Sequence, residues 1–161
     1  MRIRRILVPI DFSAGSDYAL KYAAVLAREF GARIIVFHAL EPLILGDIYG
    51  SPEIAGLNEE LMRSASRRVT LLVARLRKRG LRSQGVIERG PAAHAILEQA
   101  AKSADLILMG THGRSGFSRL LMGSVAEKVV RGARHPVLTV REPRRPARRP
   151  ARARSRRGAK N

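Results

Sequence analysis

Short apolar runs alternate with longer segments of helical periodicity along most of this chain, and that alternation restricts the fold more than any other feature. Arg4 to Ile10 forms an apolar strand that ends at Pro9-Ile10-Asp11. Ser13 or Ser16 then caps a helix to about Phe30, with Ala19, Ala23, Ala27 and Phe30 on one face, and Gly31 stops it. A second strand follows over Arg33 to Ala39, and Leu40 to Pro52 is a loop. From about Glu53 to Arg79, Ile54, Leu57, Leu61, Ala65, Val69, Leu72 and Leu76 recur at spacings of three and four, the stripe of an amphipathic helix. Gly80 ends that helix. A weaker strand covers Leu81 to Glu88, Gly90-Pro91 opens a short helix through Ala100, and Leu106 to Met109 is a fourth strand. A helix over Val125 to Val130 and a last strand, Val137 to Val140, complete the series. Strands and helices in this rhythm predict an α/β fold, a parallel sheet with helices on both faces. Ligands of such folds bind beyond the carboxyl ends of strands, where the strand order reverses.

The segment between the fourth strand and the following helix carries the chemistry. Gly110-Thr111-His112-Gly113 is followed, after nine residues, by Gly123-Ser124. Glycine lets backbone N–H groups approach an anion with no Cβ in the way. A helix N-terminus adds unpaired N–H donors and the positive end of the helix dipole. Together they make a phosphate site from main chain alone. If the first and fourth strands are neighbours, Asp11 faces the same crevice. Each residue also has a plainer explanation. Ser124-Val-Ala-Glu127 is a capping box, so Ser124 is also the expected cap of its helix. Gly123 and Gly110 serve equally as turn glycines, and Asp11 as a solvated carboxylate after a strand. His112 is expected as a polar contact and not as a catalytic base. His38, His94 and His135 are too scattered for a metal-ligand pair; His38 is expected at a strand end, His94 on a helix surface and His135 in the turn before Pro136.

Composition narrows the field. The chain has 161 residues, 45% of them hydrophobic and none of them cysteine, which excludes disulfides, thiolate metal sites and a thiol nucleophile. Neither a secretory leader nor a membrane span is expected, since no apolar run approaches the ~20 residues that cross a bilayer. The net charge is +18, and residues 141–161, with nine arginines, one lysine and one glutamate, carry half of it. That Arg/Pro/Ala-rich tail has little to bury and repels itself, so it is expected to be disordered. It is a candidate for salt-sensitive, non-specific nucleic-acid binding, though it has no aromatic residues to stack bases, and a passive extension explains it as well. The arginines of the 53–79 helix are expected on a solvated face.

Over residues 1–140 the chain resembles the universal stress protein family in its nucleotide-binding branch. The resemblance rests on Ile6-Leu-Val-Pro-Ile-Asp11, His38-Ala39, Gly90-Pro91 and, above all, Gly110-x2-Gly113-x9-Gly123-Ser124. It implies a five-stranded parallel sheet in flavodoxin-like order, 3-2-1-4-5, and a cytoplasmic homodimer paired through Val137 to Val140. It also implies an ATP site. Pro9, Ile10 and Asp11 would line base and ribose, and the Ala39 backbone would read the adenine edge despite standing where valine is usual. Met109 and Gly110 would flank the ribose, and Thr111, His112, Gly113 and Arg114 would wrap toward the phosphates. Gly123, Ser124, Val125 and Ala126 would hold the outer phosphates, with Mg²⁺ held mainly by phosphate oxygens and water. An ATP-binding regulatory role follows from this resemblance. The alternatives are slow ATP hydrolysis, for which His112 and Arg114 are the loop's only helpers, and nucleic-acid association through the tail.

Overall fold

The structure is a computed structural model that describes residues 2–41, 52–111 and 122–143. His112, Gly113, Arg114, nearly all of the 40–52 loop and the tail from residue 144 lie outside the described residues.

The strands are β1 (Arg5–Pro9), β2 (Arg33–Leu40), β3 (Ser83–Arg89), β4 (Leu106–Gly110) and β5 (Val137–Val140). The helices are α1 (Ala14–Phe30), α2 (Pro52–Lys78), α3 (Ala92–Ser103) and α4 (Ser124–Gly132). All five strands are parallel, in the order β3-β2-β1-β4-β5. The order implied by the family resemblance is therefore the observed one. β1 lies at the centre, with Ile6 beside both Ile34 of β2 and Leu106 of β4. The chain leaves β1 in one direction for β2 and β3, then crosses back to β4 and β5. The crevice between the carboxyl ends of β1 and β4 is the switch point.

Both faces of the sheet are covered, which is why residues 6–8, 34–37 and 106–109 run apolar without alternation. On one face Ile6, Val8, Ile34, Val36, Leu106 and Leu108 pack with α1 and α2, through residues such as Ala23, Ala27, Val69 and Val73. On the other, Leu7, Ile35, Phe37, Ile107 and Met109 pack with α3 and α4, through Ile96, Ala100, Ala126 and Val129. The predicted helix stripes are buried along most of their length, Ile54 and Leu76 near the two ends of α2 included. Phe30 is 48% exposed and Leu57 42% exposed, whereas Ala19, Ala23, Ala65, Val69 and Leu76 are buried.

Two glycine stops work by one mechanism. Gly31 and Gly80 have φ of +60° and +74°. The next residue of each pair folds back onto the helix, Ala32 N–H onto the Ala27 carbonyl at 2.9 Å and Leu81 N–H onto the Leu76 carbonyl at 3.1 Å. This is the Schellman arrangement, which also buries the residue after the glycine. Leu81 thus belongs to the turn, and β3 starts at Ser83, two residues later than the apolar pattern predicts. Among the described residues no helix is long and apolar enough to cross a membrane.

Candidate functional site

β1 ends at Pro9, and the chain turns sharply into α1. The Asp11 carboxylate organises this turn: its Oδ1 accepts from the Ser13 amide at 3.0 Å and the Ser13 hydroxyl at 2.6 Å. Ser13 then caps α1, its Oγ accepting from the Ser16 amide at 3.2 Å. Asp11 is therefore not simply a solvated carboxylate. Its Oδ1 shapes the loop at the edge of the crevice that Asp11 lines.

The far side of the crevice is built from main chain. The Thr111 N–H donates to the Val140 carbonyl at 3.0 Å, and the Thr111 carbonyl accepts from the Gly123 N–H at 2.7 Å. One residue therefore joins the end of β4 to the end of β5 and to the start of α4. Gly123 is the N-cap of α4, with φ −72° and ψ 154° and no side-chain capping bond. The first intrahelical bond is Glu127 N–H to the Gly123 carbonyl, 2.9 Å. The amides of Ser124, Val125 and Ala126 precede it and have no carbonyl within the helix to bond. This corrects the capping-box expectation. Ser124 is the first residue of the helix, so its hydroxyl is not in the cap position.

Gly110 also needs a corrected explanation. A Cβ there would meet the Gly15 carbonyl oxygen at 2.9 Å and its carbonyl carbon at 3.0 Å. The position is glycine because α1 crosses the end of β4 at backbone contact.

A cavity of about 650 Å³ opens at the carboxyl ends of the strands. Of the expected site residues, Pro9, Ile10, Asp11, Ala39, Met109, Gly110, Thr111, Gly123, Ser124, Val125 and Ala126 all line it. Those from β1, β2, β4 and α4 are thus brought together. Its volume suits a nucleotide-sized ligand.

The walls also contain residues that the sequence did not single out. Phe12 has φ +63°, the only non-glycine residue with positive φ among the described residues. Its ring lies 4.6 Å from the His38 ring, and the Arg68 guanidinium lies over it at 3.7 Å. His38 is buried, and its Nδ1–H donates to the Ile10 carbonyl at 2.7 Å. The strand-end position expected for His38 is the observed one, and its bond fixes the backbone of the β1 exit. From α2, Leu61, Ser64, Ala65 and Arg68 form a further wall, the 3–4 spacing that had marked only a core face. Glu41, also in the lining, accepts from the Ala92 amide at the start of α3 at 3.0 Å. His94 is exposed on α3 beside Glu98 at 3.4 Å, away from this lining.

The comparisons with known proteins agree with this architecture. The profile of the Universal stress protein family matches residues 2–141. A universal stress protein of Methanocaldococcus jannaschii is 35% identical over 144 residues, covering 87% of this chain and 83% of its own length. The solved structure of the hypothetical protein MJ0577 from the same organism superposes with a TM-score of 0.80 at 25% identity, over 90% of this chain and 100% of the other. A universal stress protein from Archaeoglobus fulgidus, solved in complex with dAMP, superposes with a TM-score of 0.62 at 25% identity, over 86% of this chain and 98% of its own. A matched profile over nearly all the described residues and a relative 35% identical over 144 residues lead to one conclusion: this chain belongs to the universal stress protein family.

Proposed function

We propose that this protein binds an adenine nucleotide, ATP with Mg²⁺, in the cavity at the β1/β4 switch point, and that it acts as a cytoplasmic regulator of the stress-response type. The observation that carries this reading is the start of α4. Three amides without intrahelical partners border a cavity whose opposite rim holds Asp11. A polyanion satisfies these donors and meets the positive end of the helix dipole. The dAMP complex of the Archaeoglobus fulgidus relative supports an adenine nucleotide as the ligand.

In this arrangement Asp11 accepts from a ribose hydroxyl, the Ala39 backbone borders the base, and Met109 and Gly110 flank the sugar. The donor set fits Mg²⁺ carried in by the phosphates. The cavity's two carboxylates, Asp11 and Glu41, each already accept from a backbone amide. No group of three or more His, Cys, Asp or Glu capable of holding a metal occurs among the described residues. A cation there takes its ligands chiefly from phosphate oxygens and water.

The regulatory reading includes a homodimer. Among the described residues β5 pairs only with β4, and Leu138 on it is 38% exposed, so this apolar edge is suited to a second copy. Nucleotide occupancy is proposed to change what the dimer presents to partners. Isothermal titration with ATP and Mg²⁺ tests the binding claim. Saturable heat with one site per chain is expected, and no heat at millimolar ATP, with no change in melting temperature, refutes it.

A further inference from the structure

We propose that Arg68 is a nucleobase-contacting residue: its guanidinium lies over the Phe12 ring and stacks on the base of the bound nucleotide. The inference rests on the nucleotide reading above and adds to it a side chain on α2.

Three observations converge on this corner of the cavity. Phe12 adopts φ +63°, a conformation that a bulky L-residue avoids. Such strain persists where the surroundings over-determine it, and it concentrates at ligand sites. The surroundings here are specific: His38 lies against the Phe12 ring at 4.6 Å, and His38 is itself fixed by its bond to the Ile10 carbonyl at 2.7 Å. The His38 ring is tilted by 45° against Phe12, and Arg68 lies over the Phe12 ring at 3.7 Å from its centroid and lines the cavity. A guanidinium normally loses considerable freedom when it orders on a ligand; a cation–π contact with a fixed ring orders it in advance.

Position assigns Arg68 to the base and not to the phosphates. The α4 amides border the crevice from the side of the sheet on which α3 and α4 pack. Arg68 comes from α2, which packs on the opposite side, and meets the chain at the exits of β1 and β2. With the phosphates on α4, a nucleoside that crosses the strand ends from there reaches this corner of the cavity. A planar, weakly hydrated cation with one face on an aromatic ring suits a planar purine on the other.

Among the described residues no ion pair involves Arg68. Arginine is also not interchangeable with lysine in a stack, because an ammonium has no plane. This gives the proposal its discriminating variant.

The test compares affinities of wild type, Arg68→Ala, Arg68→Lys and Phe12→Leu for ATP, adenosine and inorganic tripolyphosphate, with unliganded melting curves to verify folding. Arg68→Ala is expected to weaken ATP and adenosine about tenfold, the scale of one stacking contact, and to leave tripolyphosphate unchanged. Arg68→Lys should recover little of the loss. Phe12→Leu should weaken ATP in wild type but add little in an Arg68→Ala background. Unchanged ATP affinity in Arg68→Ala overturns the inference alone. So does a loss shared with tripolyphosphate but not adenosine, or full recovery with lysine, since each shows a charge reading phosphate. Failure of the wild-type chain to bind ATP ends the nucleotide reading and this inference together.

Discussion

Gly15 in the first turn of α1 and Gly110 at the end of β4 meet backbone to backbone, with a Cβ on Gly110 only 2.9 Å from the Gly15 carbonyl oxygen. The contact joins the loop that carries Asp11 to the strand that leads to α4. Neither carbonyl nor strand can move aside as a flexible side-chain end would. Gly110→Ala is therefore expected to cost about 1–3 kcal/mol of stability, the range for overpacking a close contact. It should also displace the Asp11 turn and weaken nucleotide binding. Denaturant unfolding checks the first effect. A melting curve identical to wild type would show that α1 lies farther from β4 than described here.

At Gly123 a substitution is expected to move stability and binding in opposite directions. Its φ of −72° and ψ of 154° are those of an ordinary N-cap, open to any residue. Serine there would accept from the α4 amides and raise helix stability by a few tenths of a kcal/mol. Those amides are the proposed phosphate donors, so Gly123→Ser should weaken ATP binding while the melting temperature holds or rises. Gly123→Val should also block binding, with a modest loss of stability, since valine is a poor cap. Parallel calorimetry and thermal melts separate the two quantities. A Gly123→Ser protein that binds ATP as tightly as wild type would remove these amides from the site.

Much of this site could be read from sequence because its parts are main chain at element ends. Gly110, Gly123 and Asp11 stand at recognisable strand and helix boundaries, and the alternation fixes a parallel sheet. That β1 and β4 are neighbours did not follow from the residues alone, since periodicity locates strands but not their order. The Phe12–His38–Arg68 cluster was not legible. A bulky residue gives no signal that its φ is positive, and Arg68 sits among Arg63, Arg67 and Arg75 in a helix whose charges predict only a solvated face. Ser124 misled for a different reason. A serine followed three residues later by glutamate fits a capping box, but the bond from the Glu127 N–H to the Gly123 carbonyl starts the helix one residue earlier.

α2 packs on β3 at a second glycine contact. A Cβ on Gly85 would stand 2.5 Å from Cγ1 of the buried Val69. Gly85→Ala should destabilise by about 1–3 kcal/mol through this overlap. Val69→Ala alone should also destabilise, by leaving a cavity. Because the added methyl group occupies that space, the double variant should be more stable than the sum of the two losses implies. Simple additivity in urea melts would mean that the two positions do not touch.

Asp105 ties the start of β1 to the start of β4. It accepts from the Arg4 and Arg5 amides at 2.9 Å each and from Arg5 Nη2 at 2.8 Å. The Arg5 guanidinium bond foremost, helped by the two amides and opposed by partial burial, holds its carboxyl below the ordinary value of 3.8. A depressed folded-state value means that the stabilisation is complete above that ordinary value and is lost as pH falls through the folded one. Half-exposure of Arg5 limits the magnitude. Asp105→Asn should cost about 1 kcal/mol at neutral pH, and the difference from wild type should shrink below about pH 4. Denaturant midpoints at the two pH values check this, and an equal difference at both would show that the charge is not what stabilises.

Phosphate capture is proposed to fall to the main-chain amides of Ser124, Val125 and Ala126, which have no carbonyl within α4 to bond. It is tested most directly by titrating Mg²⁺–ATP into ¹⁵N-labelled protein and following the backbone amide resonances. Ser124, Val125 and Ala126 are expected to show the largest shifts, and inorganic tripolyphosphate is expected to reproduce them. Saturable ATP binding that leaves these three resonances unmoved would contradict the account.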